Sequence, residues 1–81
     1  MVQYFTNSYT VSTKDLKRND VIKLTPNGDP VVVINVVKQD PYAYVIYFLN
    51  IDTLTQKVME SPQSAIYYQQ SSQRIGRYEG G

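Results

Sequence analysis

Cysteine and histidine are both absent from this chain of 81 residues. Without cysteine there is no disulfide and no thiolate metal site. Without histidine there are no Ser–His or Cys–His nucleophile pairs and no imidazole base. The seven acidic residues are scattered singly along the chain, so neither a catalytic carboxylate pair nor a calcium-binding loop is predicted. We therefore expect a protein that is not an enzyme and that holds no metal or cofactor.

Long apolar runs and a strong charge of either sign are also missing. The apolar stretch at residues 43–49 is far shorter than the roughly 20 residues that span a bilayer. The N-terminus has neither the basic nor the apolar segment of a signal peptide. The net charge of +1 argues against strong non-specific DNA binding, which needs many phosphate contacts. These absences predict a cytoplasmic protein with no membrane association.

The residues that are present favour β-structure. The chain is 42% hydrophobic and has eight tyrosines, which is enough for one small core. Short segments rich in β-branched and aromatic residues alternate with turn residues, and almost no helical periodicity is visible. They predict strands at residues 21–25, 31–38, 43–51, 56–60 and 65–69. This pattern is typical of an all-β fold, a small five-stranded SH3-like barrel with short turns.

The ends of the chain and one turn carry separate predictions. Residues 1–13 are polar, and we expect either an N-terminal arm or an edge strand there. Residues 14–69 then make the barrel. Residues 70–81 are rich in Gln, Ser, Gly and Arg, which predicts a flexible tail. Asn27-Gly28 predicts a tight hairpin turn with positive φ angles, and Pro30 should begin the following strand.

Three segments follow the pattern of a known family. Residues 15–22, DLKRNDVI, are similar to an opening of the form D-L-(K/R)-x-G-D-x-I. Residues 27–30, NGDP, stand where that pattern has a hairpin and a strand that begins with proline. Residues 49–60 stand for its strand–turn–strand ending. Together these segments resemble the N-terminal SH3-like, KOW-type barrel of the elongation factor P family, which implies a barrel often used to touch RNA, ribosomes or polymerase.

The chain departs from that family at its functional loop. The family presents a lysine on a glycine-rich tip between the second and third strands. Here the loop is residues 38–42, KQDPY, which has no glycine and no lysine at its tip. The two further barrels of the family are missing as well. The resemblance therefore implies the fold and not the activity of a complete translation factor.

The candidate binding residues are cations near the first predicted strand and tyrosines on or beside later strands. Strand alternation should place Tyr47 in the core, whereas Tyr44 and one of Tyr67 and Tyr68 should face outward. Cations follow a nucleic-acid backbone and tyrosine rings stack on bases. The alternative is an ordinary solvated surface, in which Asp15 and Asp20 lie among these cations and solvate a turn. The residues predicted to bind a partner are Lys14, Lys17, Arg18, Lys23, Tyr42, Tyr44 and Tyr68.

Three functions remain open on this sequence. The first is a non-catalytic SH3-like interaction module, a small accessory or regulatory protein that binds a macromolecular partner, with a protein partner or self-association expected. The second is RNA or single-stranded DNA binding through residues 14–23. The third is a structural component that self-assembles by edge-strand pairing, such as one encoded by a phage or another compact genome.

Overall fold

Strands account for most of the chain in the computed structural model, which describes residues 2–51, 53 and 61–79. Six strands form one antiparallel sheet in the order β1-β6-β2-β3-β4-β5. A single 3₁₀ turn, Thr13–Asp15, separates β1 from β2. The strands are β1 (Val2–Ser12), β2 (Asp20–Lys23), β3 (Pro30–Asp40), β4 (Ala43–Asn50), β5 (Gln63–Tyr67) and β6 (Ser71–Tyr78).

The centre of the sheet is formed by β-branched residues, which pack well on a pleated surface. Val31, Val32 and Val33 are all buried, so the first half of β3 is covered on both faces. The register with β4 then shifts between Val33 and Asn35. This bulge directs both Val33 and Val36 toward the same core, which spans four strands and the segment before β2. The core side chains are Leu16, Ile22, Val31, Val33, Ile46, Phe48 and Tyr67.

The sheet must curl because of a short connection. In the sheet order β5 and β6 are four strand spacings apart, about 19 Å in a flat sheet. Residues 68–70 join them along the chain, and the path from Tyr67 to Ser71 reaches at most about 14 Å. The end of β5 therefore lies closer to the start of β6 than a flat sheet allows. Thr13 also stabilises this connection, because its N–H donates to the Gln70 carbonyl at 2.9 Å.

The curled sheet remains open, so the prediction of a five-stranded barrel is wrong although the all-β class is confirmed. No strand pairing joins β1 to β5 among the described residues. Of the two alternatives for residues 1–13, the edge strand is observed, as β1. The predicted tail contains β6, which lies between β1 and β2. The backbone of β6 is hydrogen-bonded to a strand on each side, and this ladder orders a segment that has few apolar side chains.

Two turns differ from the sequence pattern. Among the described residues only Asn19 has a positive φ, 77°, a conformation that asparagine tolerates. Asn27 and Gly28 therefore do not form the predicted turn with positive φ angles. The Gly28 N–H instead donates to the Thr25 carbonyl at 3.1 Å, within a longer loop between β2 and β3. Pro30 does begin β3, as predicted.

The other strand boundaries shift by a few residues. The strand predicted at 21–25 is Asp20–Lys23, and the one predicted at 31–38 extends over Pro30–Asp40. The strand predicted at 65–69 is Gln63–Tyr67. The strand predicted at 56–60 lies outside the described residues.

Candidate functional site

Two exposed tyrosines meet at the end of the molecule where β5 connects to β6. Tyr42, in the β3–β4 turn, is 77% exposed, and Tyr68, just after β5, is 70% exposed. The Gln70 side-chain amide joins them, because its Nε2 donates to the Tyr42 carbonyl at 3.3 Å and to the Tyr68 carbonyl at 3.5 Å. We call Tyr42, Tyr68 and Gln70 the tyrosine end. Both exposed tyrosines were predicted to bind a partner, and the structure brings them together.

The prediction that Tyr44 faces outward is wrong. Its side chain is 4% exposed, and its hydroxyl donates to Gln70 Oε1 at 3.1 Å, so it supports the tyrosine end from inside. The prediction that Tyr47 lies in the core is also wrong, since its side chain is 37% exposed. The period-two alternation correctly separated the two faces of β4, but the face that contains Tyr47 was predicted to lie in the core and it lies outside. For Tyr67 and Tyr68 the prediction of one inward and one outward ring is confirmed.

The four predicted cations are all exposed. Two of them, Lys14 and Lys23, lie near Gln69, the residue between Tyr68 and Gln70 of the tyrosine end. Lys14 follows Thr13, whose Oγ1 donates to the Gln69 carbonyl at 2.7 Å. Lys23, at the end of β2, lines a cleft with Gln69 and Ser71. Lys17 and Arg18 lie in the loop that leads into β2.

Carboxylates lie beside Tyr42 and Lys14. Asp40 Oδ1 accepts the Tyr42 N–H at 2.8 Å, and the exposed Asp15 follows Lys14. The local field is therefore mixed in sign, which weakens attraction for a polyanion.

Apolar side chains are exposed on the face of β3, β4 and β5 that lies opposite the core. The register places Val37, Val45 and Ile66 side by side on three neighbouring strands. Tyr47 is two residues from Val45 and shares its face. Ile66 is 53% exposed and Val37 44%. We call Val37, Val45, Tyr47 and Ile66 the outer face. Val37 and Ile66 were not among the predicted binding residues, because the register that aligns them with Val45 cannot be derived from any one strand.

The outer face ends at β5, which is an edge strand of the sheet that the described residues form and has no charged residue. Its sequence is QSAIY. Edge strands expose unpaired N–H and C=O groups, and charged side chains commonly protect them from pairing. The other edge, β1, is interrupted instead. Its residues 5–8 lie between the pairs Tyr4↔Gly76 and Tyr9↔Arg74, where β6 has only Ile75.

The interrupted part of β1 covers a buried charge. Asp20 is 1% exposed, and its Oδ1 lies 3.7 Å from Arg74 Nη1. The Arg74 guanidinium carbon is 5.5 Å from the Phe5 ring centroid and 5.7 Å from that of Tyr9, within the range of cation–π contacts. Asp20 was predicted to lie in a solvated turn, and this was wrong. Sequence gave no signal for the cluster, because its members come from three separate strands.

The described residues offer no sign of two other kinds of site. They contain no group of three or more acidic residues arranged to hold a metal ion. Over the same part of the chain no helix is long and apolar enough to cross a membrane.

None of the family models, curated proteins or solved structures with which the chain was compared matches it. The resemblance to the elongation factor P barrel therefore stays a prediction.

Proposed function

We propose that this protein is a non-catalytic interaction module that assembles through the β5 edge and the outer face beside it. The observation that carries the proposal is the apolar row Val37, Val45 and Ile66, in which Val37 and Ile66 are exposed and which ends at an uncharged edge strand. Contiguous exposed apolar surface marks interaction sites. A free edge strand provides main-chain hydrogen bonds to any strand added to it.

A second copy of the chain fits this edge. When two copies of β5 run antiparallel about a two-fold axis centred on Ala65, Ser64 of each copy faces Ile66 of the other. No residue of β5 is charged, so the pairing opposes no like charges. The apolar rows of the two copies then lie next to each other on one continuous sheet. Such an interface is isologous, the arrangement of most homodimers.

The test is sedimentation velocity of the purified chain over a wide concentration range. We expect the sedimentation coefficient to rise with concentration toward that of a dimer. Ile66→Lys should keep the chain monomeric, because it places a charge in the apolar row of each copy. Thr6→Lys is the matched control, since it adds the same charge to the other edge strand, β1, and should leave association unchanged. A wild-type coefficient fixed at the monomer value would refute self-assembly.

A second candidate function is binding of single-stranded RNA or DNA at the tyrosine end. The observation that favours it is that Gln70 joins the backbone carbonyls of two highly exposed tyrosines, Tyr42 and Tyr68, near Lys14 and Lys23. Base stacking on aromatic rings contributes about 1–3 kcal/mol per base. The resemblance to the elongation factor P barrel supports this candidate, because barrels of that type often contact RNA.

An amide-resolved NMR titration with a short mixed-sequence RNA at low salt distinguishes the two functions. Nucleic-acid binding predicts shifts at Tyr42 and Tyr68 that weaken when salt is added. The double variant Tyr42→Ala/Tyr68→Ala should lose them, whereas Tyr47→Ala, which removes an exposed ring from the outer face, should not. An RNA-independent spectrum would eliminate this candidate and leave the β5 proposal unaffected.

A further inference from the structure

A cleft opens beside the connection between β5 and β6. It has a volume of about 290 Å³ and lies between the end of β2, the end of β5 and the first half of β6. We call it the seam cleft. The residues that matter for its chemistry are Lys23, Leu24, Tyr67, Gln69, Ser71 and Ile75.

The floor of the seam cleft is apolar. Tyr67 belongs to the core, and Leu24 packs against it. Ile75 reaches the cleft because the β2–β6 register shifts there, passing from Val21↔Gly76 to Ile22↔Arg74. A residue left unpaired by such a shift is turned away from the regular ladder. The floor therefore offers one aromatic and two aliphatic side chains.

The polar groups around this floor are suited to an anion. Lys23 is the one charged residue among those described as lining the cleft, and it makes no ion pair with another described residue. The Tyr67 hydroxyl donates to Gln69 Oε1 at 3.0 Å, which fixes that amide and leaves its Nε2 hydrogens available. Ser71 contributes a hydroxyl. One cation and two neutral donors thus surround the floor, and none of the described lining residues opposes them with a carboxylate.

We propose that the seam cleft binds a small monocarboxylate that carries a short apolar chain. The carboxylate accepts hydrogen bonds from Lys23, Gln69 and Ser71, and charge-assisted bonds of this kind are about twice as strong as neutral ones. The apolar chain lies on Leu24, Tyr67 and Ile75. The volume is near the lower limit of about 300 Å³ for small-molecule sites, so the chain is short. A free carboxylic acid and the C-terminus of a peptide share this chemistry.

The experiment is an amide-resolved NMR titration of the full chain with hexanoate, using hexanamide as the neutral match. We expect hexanoate to shift the amide resonances of Lys23, Gln69 and Ser71 in a saturable manner. Hexanamide should bind at least about tenfold more weakly, because it lacks the charge that pairs with Lys23. Lys23→Gln should weaken hexanoate binding by a similar factor. Lys38→Gln, an exposed cation of β3 outside the cleft, should not change it.

Further arms identify the source of the carboxylate. A short peptide that ends in leucine is titrated beside the same peptide with a C-terminal amide. If the peptide with the free carboxylate binds more tightly than free hexanoate, the site is assigned to a peptide terminus. Weaker binding of the peptide acid assigns it to a free carboxylic acid. The proposal is overturned if hexanoate and hexanamide produce the same shifts, or if Lys23→Gln binds hexanoate as the wild type does. Lys23 is exposed, so this variant should keep the wild-type fold, which its spectrum will verify.

Discussion

Among single residues, Asp20 has the most demanding environment. Its carboxylate is almost fully buried and accepts the Lys17 N–H through Oδ2 at 2.9 Å. Its Oδ1 has no hydrogen-bond partner among the described residues and relies on the nearby charge of Arg74. Burying a carboxylate is costly unless it is paired and hydrogen-bonded. Arg74 therefore matters here mainly because it keeps this carboxylate compatible with burial.

We expect Asp20→Ala to lower the free energy of unfolding by about 1–3 kcal/mol, because it leaves the Lys17 N–H without its acceptor and the Arg74 guanidinium without its ion-pair partner. Urea denaturation measures the loss. Asp15→Ala is the matched control, since Asp15 is exposed and its removal should change stability by less than about 0.5 kcal/mol. Equal effects of the two substitutions would mean that the buried contacts of Asp20 add nothing to stability.

The residue scale also shows where sequence reasoning stops. Alternation along β4 groups Tyr44 with Ile46 and Phe48, and Tyr47 with Val45, as observed. It cannot decide which group lies inward, since a one-residue change of register exchanges the faces. That choice depends on partners far along the chain. Tyr67 lies opposite Tyr44 on β5 and belongs to the core.

At the scale of elements, the backbones of β1 and β6 lie close together at Gly76. A Cβ atom added there would lie 2.6 Å from the Gln3 carbonyl oxygen, closer than real Cβ contacts allow. The neighbour is backbone, so β1 itself would have to move. Glycine is required at this position because of the close approach and not because of its φ angle.

Gly76→Ala should therefore separate the first residues of β1 from β6. We expect stability to fall by about 1–3 kcal/mol, the usual cost of overpacking. Hydrogen exchange should show lost protection at Gln3, which pairs with Arg77 next to this position. Gly28→Ala is the control, because the added methyl would meet the side-chain oxygen of Thr25, which can rotate away. Unchanged protection of β1 in Gly76→Ala would contradict this account.

The elements that sequence missed are those held by backbone pairing. β6 reads SSQRIGRY, a polar string typical of a mobile end, and its order comes from hydrogen bonds to β1 and β2. Bulges such as the one at Ile34 are equally hidden, because they follow from the fit between neighbouring strands. The strands with strong β-propensity, β3 and β4, were located correctly to within a few residues.

At the scale of the whole molecule, the position of β6 makes a direct prediction. Truncation of the chain to residues 1–70 should abolish the fold, since it removes the strand that joins β1 to the rest of the sheet. The truncated protein should give a poorly dispersed amide spectrum and no cooperative unfolding transition. A dispersed spectrum with a sharp transition would show that residues 14–69 form a unit by themselves, as the sequence alone had predicted.

The all-β class could be predicted because it depends on local composition, whereas openness of the sheet could not. Closure depends on whether the two edge strands meet. That in turn depends on the order of strands in the sheet and on a three-residue connection, residues 68–70, whose importance is geometric. The tyrosine end could be predicted in part, since Tyr42 lies in a turn and Tyr68 directly follows a strand. The seam cleft could not be predicted, because its lining residues come from segments that are distant in the sequence.

The pairing of β1 with β6 also governs when the protein can fold. Val2 lies opposite Tyr78, so β1, which leaves the ribosome before the other described strands, must wait for β6. Until then β1 has no neighbour in the sheet, and β2 has only β3. Pairings so distant in sequence slow folding, because the entropy of closing a long loop is lost before the contacts form. During synthesis the uncharged strand β1 is therefore unpaired and exposed to other chains, and the rate of folding sets how long that exposure lasts.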